Sequence, residues 1–479
     1  MRARRRPLTR RTKIVCTIGP ASDSAAVIER LIRAGMNVAR FNLSHGSHRD
    51  HARLIVTVRR AAQRLALPVA ILMDLPGPKY RTGPLHSGAV ELRRGAQVIL
   101  TTRPITGNAQ EIPVNLPTLP QDVKTGDNVL LDDGAMQLKV QRSDATDVVC
   151  RVVVGGTLTP GRGVVVPGMQ TSGPFLTAQL REHLDFAVDQ QSDYIAISFV
   201  SVADDVAQVQ DVLRRRGAEI PIISKIERGQ AVTHLAEILR VSDGIMVARG
   251  DLGVDIPLER VPIVQKEIIR QCNALGKPVI TATQMLESMV TAARPTRAEV
   301  TDVANAIFDG TDAVMLSAET SIGQYPVQAV QIMAKIASTA DGQLPYEQML
   351  RERGRQLEPQ IDEAISYDAC RTAQQLSAKA IVAFTHSGST ARRVSKCRPS
   401  VPILALTADE RVSRRLLLYW GVQVAHIAEP SSVEELFARG AELARQLGFA
   451  KTHDLVVITG GIPLGVPGTT NLLKVERIT

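Results

Sequence analysis

The sequence predicts an α/β fold: a (β/α)8 TIM barrel, a small all-β lid domain inserted into it, and a C-terminal α/β sheet domain. Three observations carry that expectation. Short Ile- and Val-rich runs alternate with helical periodicity and stop abruptly in charged residues, the pattern of buried parallel strands. Eight such units fit within about 250 residues once one strand-rich interval is set aside, which is the count and length of a barrel. After a polar interval, a further series of strands and helices follows. An open doubly wound sheet fits the same rhythm, because periodicity does not prove closure.

Residues 12–18 form the first expected strand, followed by Gly19-Pro20 and a helical pattern over 25–34 behind the cap Ser24. Strands over 36–41 and 69–73, the second ending in Asp74, flank a helix over 47–65. From 85 to 168 the texture changes to short alternating runs at 97–101, 128–131, 136–140 and 148–154, punctuated by Gly, Pro, Asn and Asp. The βα rhythm then returns, with a helix over 178–190 and strands over 194–198, 221–226, 244–248, 278–283 and 313–316. A helix over 327–340 precedes the polar boundary 341–358, and alternation resumes from 363 to 458. The expected division is 1–83 and 169–341 for the barrel, with a basic tail over 1–11, then 84–168 for the lid and 342–479 for the C-terminal domain.

At 479 residues the chain exceeds one ordinary core. Its composition, 44% apolar and 22% charged, is that of a soluble globular protein, and no apolar run approaches the roughly 20 residues of a membrane helix. The net charge of +9 could suggest nucleic acid, but Arg2, Arg4, Arg5, Arg6, Arg10, Arg11 and Lys13 supply most of it before the first acid, Asp23. That distribution points to a solvated arm, not a nucleic-acid surface. Five scattered cysteines without a C-x-x-C pair argue against zinc and disulfides, and for a reducing cytoplasmic setting.

The chemistry concentrates where strands end. Ile222-Ile-Ser-Lys-Ile-Glu-Arg228 and Asp243-Gly-Ile-Met-Val-Ala-Arg-Gly-Asp-Leu-Gly253 would bring Lys225, Glu227 and Asp251 beside the backbone N–H groups of Gly250 and Asp251. A lysine, two carboxylates and an anion-binding turn suit a divalent metal with a phosphorylated acid. Salt-bridged strand ends explain either half alone better, and explain the two together equally well. Arg40, Asn42, Ser44, Asp74, Arg81 and Thr283 join the same expected rim, and a capping explanation weakens with each added strand.

These segments, with Arg40-Phe-Asn-Leu-Ser-His-Gly46, Ala282-Thr-Gln-Met-Leu-Glu-Ser-Met289 and Arg294-Pro-Thr-Arg-Ala-Glu-Val300, resemble the signature segments of pyruvate kinase. The likeness runs in the family's order from Lys13 to Asn471. It implies phosphoryl transfer from phosphoenolpyruvate to ADP, giving pyruvate and ATP. By resemblance, Glu227 and Asp251 hold Mg2+ (or Mn2+), Gly250 and Asp251 receive the substrate carboxylate, Lys225 and Arg40 grip the moving phosphoryl group, and Thr283 serves protonation of the enolate. Arg81, Asn42, His45 and Arg162 would meet the nucleotide, and Asp133 would reach in from the lid.

In many members an acidic residue accompanies a K+ held by groups matching Asn42, Ser44, Asp74 and Leu75. This chain carries Lys79 in that acidic place, so its ammonium is expected to replace the cation and make K+ unnecessary. Thr385, Ser387, Gly388, Ser389 and Thr390 match a loop where the family often binds a sugar-phosphate or nucleotide effector, although a plain helix cap explains the same residues. Resemblance also implies a homotetramer. The alternative is a Mg-dependent barrel aldolase or lyase acting on pyruvate-like substrates.

Overall fold

The computed structural model describes residues 10–77, 80–169, 172–355, 357–466 and 468–479. A barrel opens with β1 (Lys13–Thr17), β2 (Val38–Asn42) and β3 (Ala70–Leu75). The lid follows, built from β4 (Val90–Leu92), β5 (Gln97–Thr101), β6 (Glu111–Pro113), β7 (Asn128–Leu131), β8 (Met136–Ser143), β9 (Asp147–Val154), β10 (Gly156–Leu158) and β11 (Val164–Val165). The barrel is completed by β12 (Tyr194–Ile197), β13 (Ile222–Ile226), β14 (Gly244–Ala248), β15 (Val279–Ala282) and β16 (Ala313–Leu316). These eight parallel strands close in the order β1-β16-β15-β14-β13-β12-β3-β2.

Side-chain alternation explains what fills the barrel and what crowns it. Val15, Val38, Leu72, Ala196, Ile223 and Met246 point inward and pack on one another. Their opposite-face neighbours, among them Ile14, Phe41, Ile71, Ile195 and Ile245, bury against the surrounding helices. Two residues beyond the inward set, the same face delivers Thr17, Arg40, Asp74, Ser198 and Lys225 to the carboxyl rim.

The opposite end is stitched by a repeated device. The residue just before every second strand bonds the first or second N–H of the strand beside it: Asn37 Oδ1 accepts from Ile14 at 3.0 Å, Asp193 from Ile71 at 2.8 Å, Asp243 from Ile222 at 2.8 Å and Asp312 from Val279 at 3.0 Å. Each bond satisfies a strand-end donor that would otherwise face the interior unpaired.

The lid is a six-stranded sheet, β11-β7-β8-β9-β5-β6, with β4 and β10 paired beside it around its own core of Leu100, Leu131, Leu138 and Cys150. Four of its strands, β4, β6, β10 and β11, are too short to show alternation in the sequence. Arg81 and Thr82, on the barrel side of the expected boundary, bridge to the lid residues Gly163 and Val114.

The C-terminal sheet has β17 (Ile381–Phe384), β18 (Ile403–Thr407), β19 (Val422–His426), β20 (Leu455–Gly461) and β21 (Thr470–Arg477) in the order β19-β18-β17-β20-β21. The antiparallel edge strand β21 escaped the sequence reading because its TNLLKVER run is only partly buried. The polar interval 341–358 contains a helix, Tyr346–Gly354, whose Leu350 joins the C-terminal core.

The basic arm needs correction. Arg10 is buried, with its guanidinium bonded to Gly35 O at 2.7 Å and Asn37 Oδ1 at 3.0 Å. Arg11 lies 4.6 Å from the Tyr346 ring centroid, and its backbone N–H donates to Asp341 Oδ2 at 2.7 Å. Lys13 is buried and donates to Val422 O. Charge counting cannot distinguish a solvated arginine from one whose carbonyl, carboxylate and aromatic partners arrive from the far end of the chain. The remainder of the arm, residues 1–9, lies outside the described residues.

Candidate active site

At the rim one carboxylate organises two cations. Asp74 stands one residue before the end of β3, and its Oδ2 pairs with Arg40 Nε at 2.7 Å while its Oδ1 lies 3.2 Å from Lys225 Nζ. Lys225 also bonds Ser198 Oγ at 2.7 Å and Glu227 Oε1 at 2.8 Å, and Arg40 donates to Thr17 Oγ1 at 2.8 Å. The other Glu227 oxygen accepts from Phe199 N–H at 2.6 Å. Thr17, Ser198 and Phe199 were not singled out in the sequence. For Thr17 and Ser198 the signal was available, since each follows an inward-facing strand residue by two positions.

Burial dominates the electrostatics and the charges then decide them. Burial opposes the Lys225 charge, but Asp74 and Glu227 outweigh it and hold the ammonium protonated well above its ordinary range. Burial likewise works against the Asp74 carboxylate, yet Arg40 and Lys225 keep its pKa below the usual value. Glu227 is pushed upward by burial, with the charges of Asp251 and Asp74 adding to the effect despite Lys225. A Glu227 carboxylate whose ionisation is opposed by burial and by the neighbouring Asp251 charge fits a divalent cation, which would relieve that cost.

Thr283 occupies a left-handed conformation, φ +66°, that a β-branched residue rarely adopts, and Gln284 follows at +53°. Arg249 holds this turn through Thr283 O at 2.7 Å and is itself paired with Asp302 at 2.8 Å. Thr283 Oγ1 accepts the Gly250 N–H at 2.8 Å and donates to Ala282 O at 2.6 Å. An anion arriving at Gly250 must therefore take that N–H over from Thr283.

A cavity of about 140 Å3 brings together Arg40, Asn42, Ser44, His45, Arg81, Lys225, Glu227 and Asp251. Asp133 lines an adjoining cleft shared with Glu227 and Asp251, and both Asp132 and Asp133 have φ +53°. Arg162 lines a third opening of about 160 Å3 with Arg81 and Asp133, its Nη1 3.2 Å from Asp132. Arg81 is held by Gly161 O at 2.8 Å, and the Ser44 N–H bonds Asn42 Oδ1 at 3.2 Å. The Leu75 side chain turns away into the barrel's outer core. Lys79 lies outside the described residues.

Far from this rim, Thr385, Ser389 and Thr390 line a cavity of about 70 Å3 together with Gly461, Leu464 and Gly465. Ser387 bonds Ser389 at 3.3 Å, and Gly388, at φ +88°, caps the helix Ser389–Lys396. Among the described residues its ionisable lining is Glu429 and His386, whose Oε1 and Nδ1 are 3.8 Å apart.

Comparison with known proteins gives the family of the chain. The family model described as "Pyruvate kinase, barrel domain" matches residues 9–330, and "Pyruvate kinase, alpha/beta domain" matches 363–476. The pyruvate kinase of Geobacillus stearothermophilus is 47% identical over 475 residues, covering 98% of this chain and 81% of the relative. That of Staphylococcus aureus strain USA300 is 46% identical over 471 residues, covering 98% and 80%. A crystal structure of a pyruvate kinase from Cryptosporidium parvum superposes with a TM-score of 0.94 at 37% identity, covering 98% of this chain and 97% of that one. A closed eight-stranded barrel and a match over nearly the whole chain place it in the pyruvate kinase family, as a phosphotransferase of class EC 2.7.1.40.

Proposed function

We propose that this chain moves the phosphoryl group of phosphoenolpyruvate to ADP, giving pyruvate and ATP, with Mg2+ (or Mn2+) held by Glu227 and Asp251. The observation that carries the reading is the pairing of Arg40 and Lys225 on one buried carboxylate, Asp74, beside the cavity they share with Glu227 and Asp251. A bound Mg2+ would supply positive charge to phosphoryl and carboxylate oxygens and keep coordination positions for water.

Lys225 acts as a fixed charge. Its ammonium, held protonated beside Asp74 and Glu227, suits a transition state whose negative charge spreads over the phosphoryl oxygens. Arg40 meets the same oxygens from the neighbouring strands, and Asp74 keeps both cations from swinging away. Thr283, next to Gly250, orients the group that protonates the enolate carbon. Arg81, Asn42, His45 and Arg162 face the nucleotide between lid and rim, and closure of the lid, which carries Asp133 toward the site, would exclude water.

K+ independence belongs to the same proposal. It is supported by Asp74 already facing two cations and by the presence of Lys79 in the sequence. An effector at Thr385, Ser387, Gly388, Ser389 and Thr390, a homotetrameric state and a cytoplasmic setting are further proposals that rest on resemblance. Among the described residues no helix is long and apolar enough to cross a membrane. The aldolase or lyase alternative is not favoured, since carbon–carbon cleavage has no use for two cations converging beside a metal site. A coupled assay of pyruvate formed from phosphoenolpyruvate separates them: release should require ADP, and ADP-independent release would support the alternative.

A further inference from the structure

The four stitching residues on the barrel floor also meet the basic side chains above them, and one differs from the rest. Asn37 bonds Arg10 at 3.0 Å, Asp193 bonds Arg414 at 2.9 Å and Asp312 pairs with Arg398 at 3.0 Å. Arg414 and Arg398 belong to the C-terminal domain, so these contacts seat that domain on the barrel. Asp243 has no such arginine contact among the described residues. An open cavity of about 640 Å3 lies there instead, with Ile222, Asp243 and Glu219 of the barrel and Arg392 and Arg415 of the C-terminal domain in its wall.

Both arginines are incompletely paired. Arg392 hydrogen-bonds Tyr419 but forms no ion pair among the described residues, and Asp243 is near enough for its charge to be felt. Arg415 donates through Nη2 to Glu219 O, while its buried Nε has no acceptor among the described residues. Lys277, which also faces Asp243, is committed to the carbonyls of Leu239 at 2.5 Å and Ser242 at 2.6 Å. The wall thus offers guanidinium donors on one side and carboxylates on the other. A ligand suited to both carries an oxyanion for the arginines and a hydroxyl donor for Asp243 and Glu219.

We propose that this seam is a binding site for a small hydroxylated oxyanion, a phosphate or a carboxylate, clasped by Arg392 and Arg415 of the C-terminal domain against the start of β13 and β14. The position gives binding a consequence. The two strands that begin at Ile222 and Gly244 carry Lys225 and lead directly into Glu227 and the short helix bearing Asp251, so a ligand that fixes the domain against their amino ends bears on the rim through a few residues of strand.

The test counts binding and does not depend on the reaction assigned to the rim. Equilibrium dialysis of the full chain with labelled inorganic phosphate, and separately with labelled glycolate, is compared with Arg392→Gln/Arg415→Gln. Sites at the rim and in the C-terminal cavity are common to both proteins and cancel. Wild type should hold one more equivalent per chain of at least one probe at millimolar concentration, and phosphate against glycolate identifies the class. Arg392→Gln alone, at an exposed position, guards against a folding defect and should weaken the same equivalent about tenfold or more. Equal stoichiometry and affinity for both probes in all three proteins would overturn the proposal.

Discussion

Lys225 and Glu227 meet at 2.8 Å on the last inward-facing positions of one strand end. Their spacing of two residues is what turns both toward the rim, and the contact makes Lys225 a placeholder beside a carboxylate assigned to a metal. Replacing Glu227 by Gln keeps size and the Phe199 hydrogen bond while removing that charge. Affinity for Mg2+ should fall by at least about 10- to 100-fold, a loss that altering even an outer partner of a metal ligand brings. Titration calorimetry of Mg2+ binding reads it, and unchanged affinity would remove Glu227 from the metal site.

The strained Thr283 turn gives a second outcome. Thr283→Ser retains the hydroxyl that accepts Gly250 N–H and should stay within a few-fold of wild-type kcat. Thr283→Ala removes it and should lower kcat by about 10²-fold, the lower range for a lost proton-handling group. If Ala and Ser behave alike in steady-state kinetics, the hydroxyl has no part in the reaction.

With Mg2+ and only a bulky organic cation present, turnover should already be near its maximum. Asp74 faces Arg40 and Lys225 at 2.7 and 3.2 Å, leaving little uncompensated charge for a monovalent ion. A many-fold activation by KCl in the same assay would refute this.

Lys13 links stability to pH. Burial first, and the Arg10 charge second, lower its pKa from 10.5 to about 7. Between those values the unfolded chain binds the proton that the folded chain releases, so stability rises with pH across the window and the full penalty applies below about pH 7. Lys13→Met removes the penalty, on the order of a few kcal/mol. Its Tm relative to wild type should therefore be highest near pH 6 and decline toward pH 10, and a difference that does not vary with pH would contradict the assignment.

Local rules carried much of this structure into the sequence. The abrupt end of an apolar run in Lys225-Ile-Glu227 marked both the strand and the rim, because a buried parallel strand and a reactive strand end share that signature. Thr17 and Ser198 were missed although the same alternation reaches them, since a lone hydroxyl after a strand carries no distinctive pattern. Arg10, Arg11 and Lys13 were misjudged for a different reason. Their partners Asn37, Tyr346, Asp341 and Val422 lie in distant segments, and only tertiary packing brings them together. The Asp243 cavity was likewise invisible, because it exists only where the C-terminal domain meets the barrel floor.

The most direct measurement concerns the ammonium at the centre of the rim. In Lys225→Met, the initial rate of ATP formation from phosphoenolpyruvate and ADP should fall by about 10³-fold, the upper range for losing one preorganised donor to a developing charge. Circular dichroism on the same preparation should show a folded chain, and any change in Mg2+ affinity from losing this partner of Glu227 should be much smaller than the loss of rate. ATP formation at wild-type speed would contradict the account.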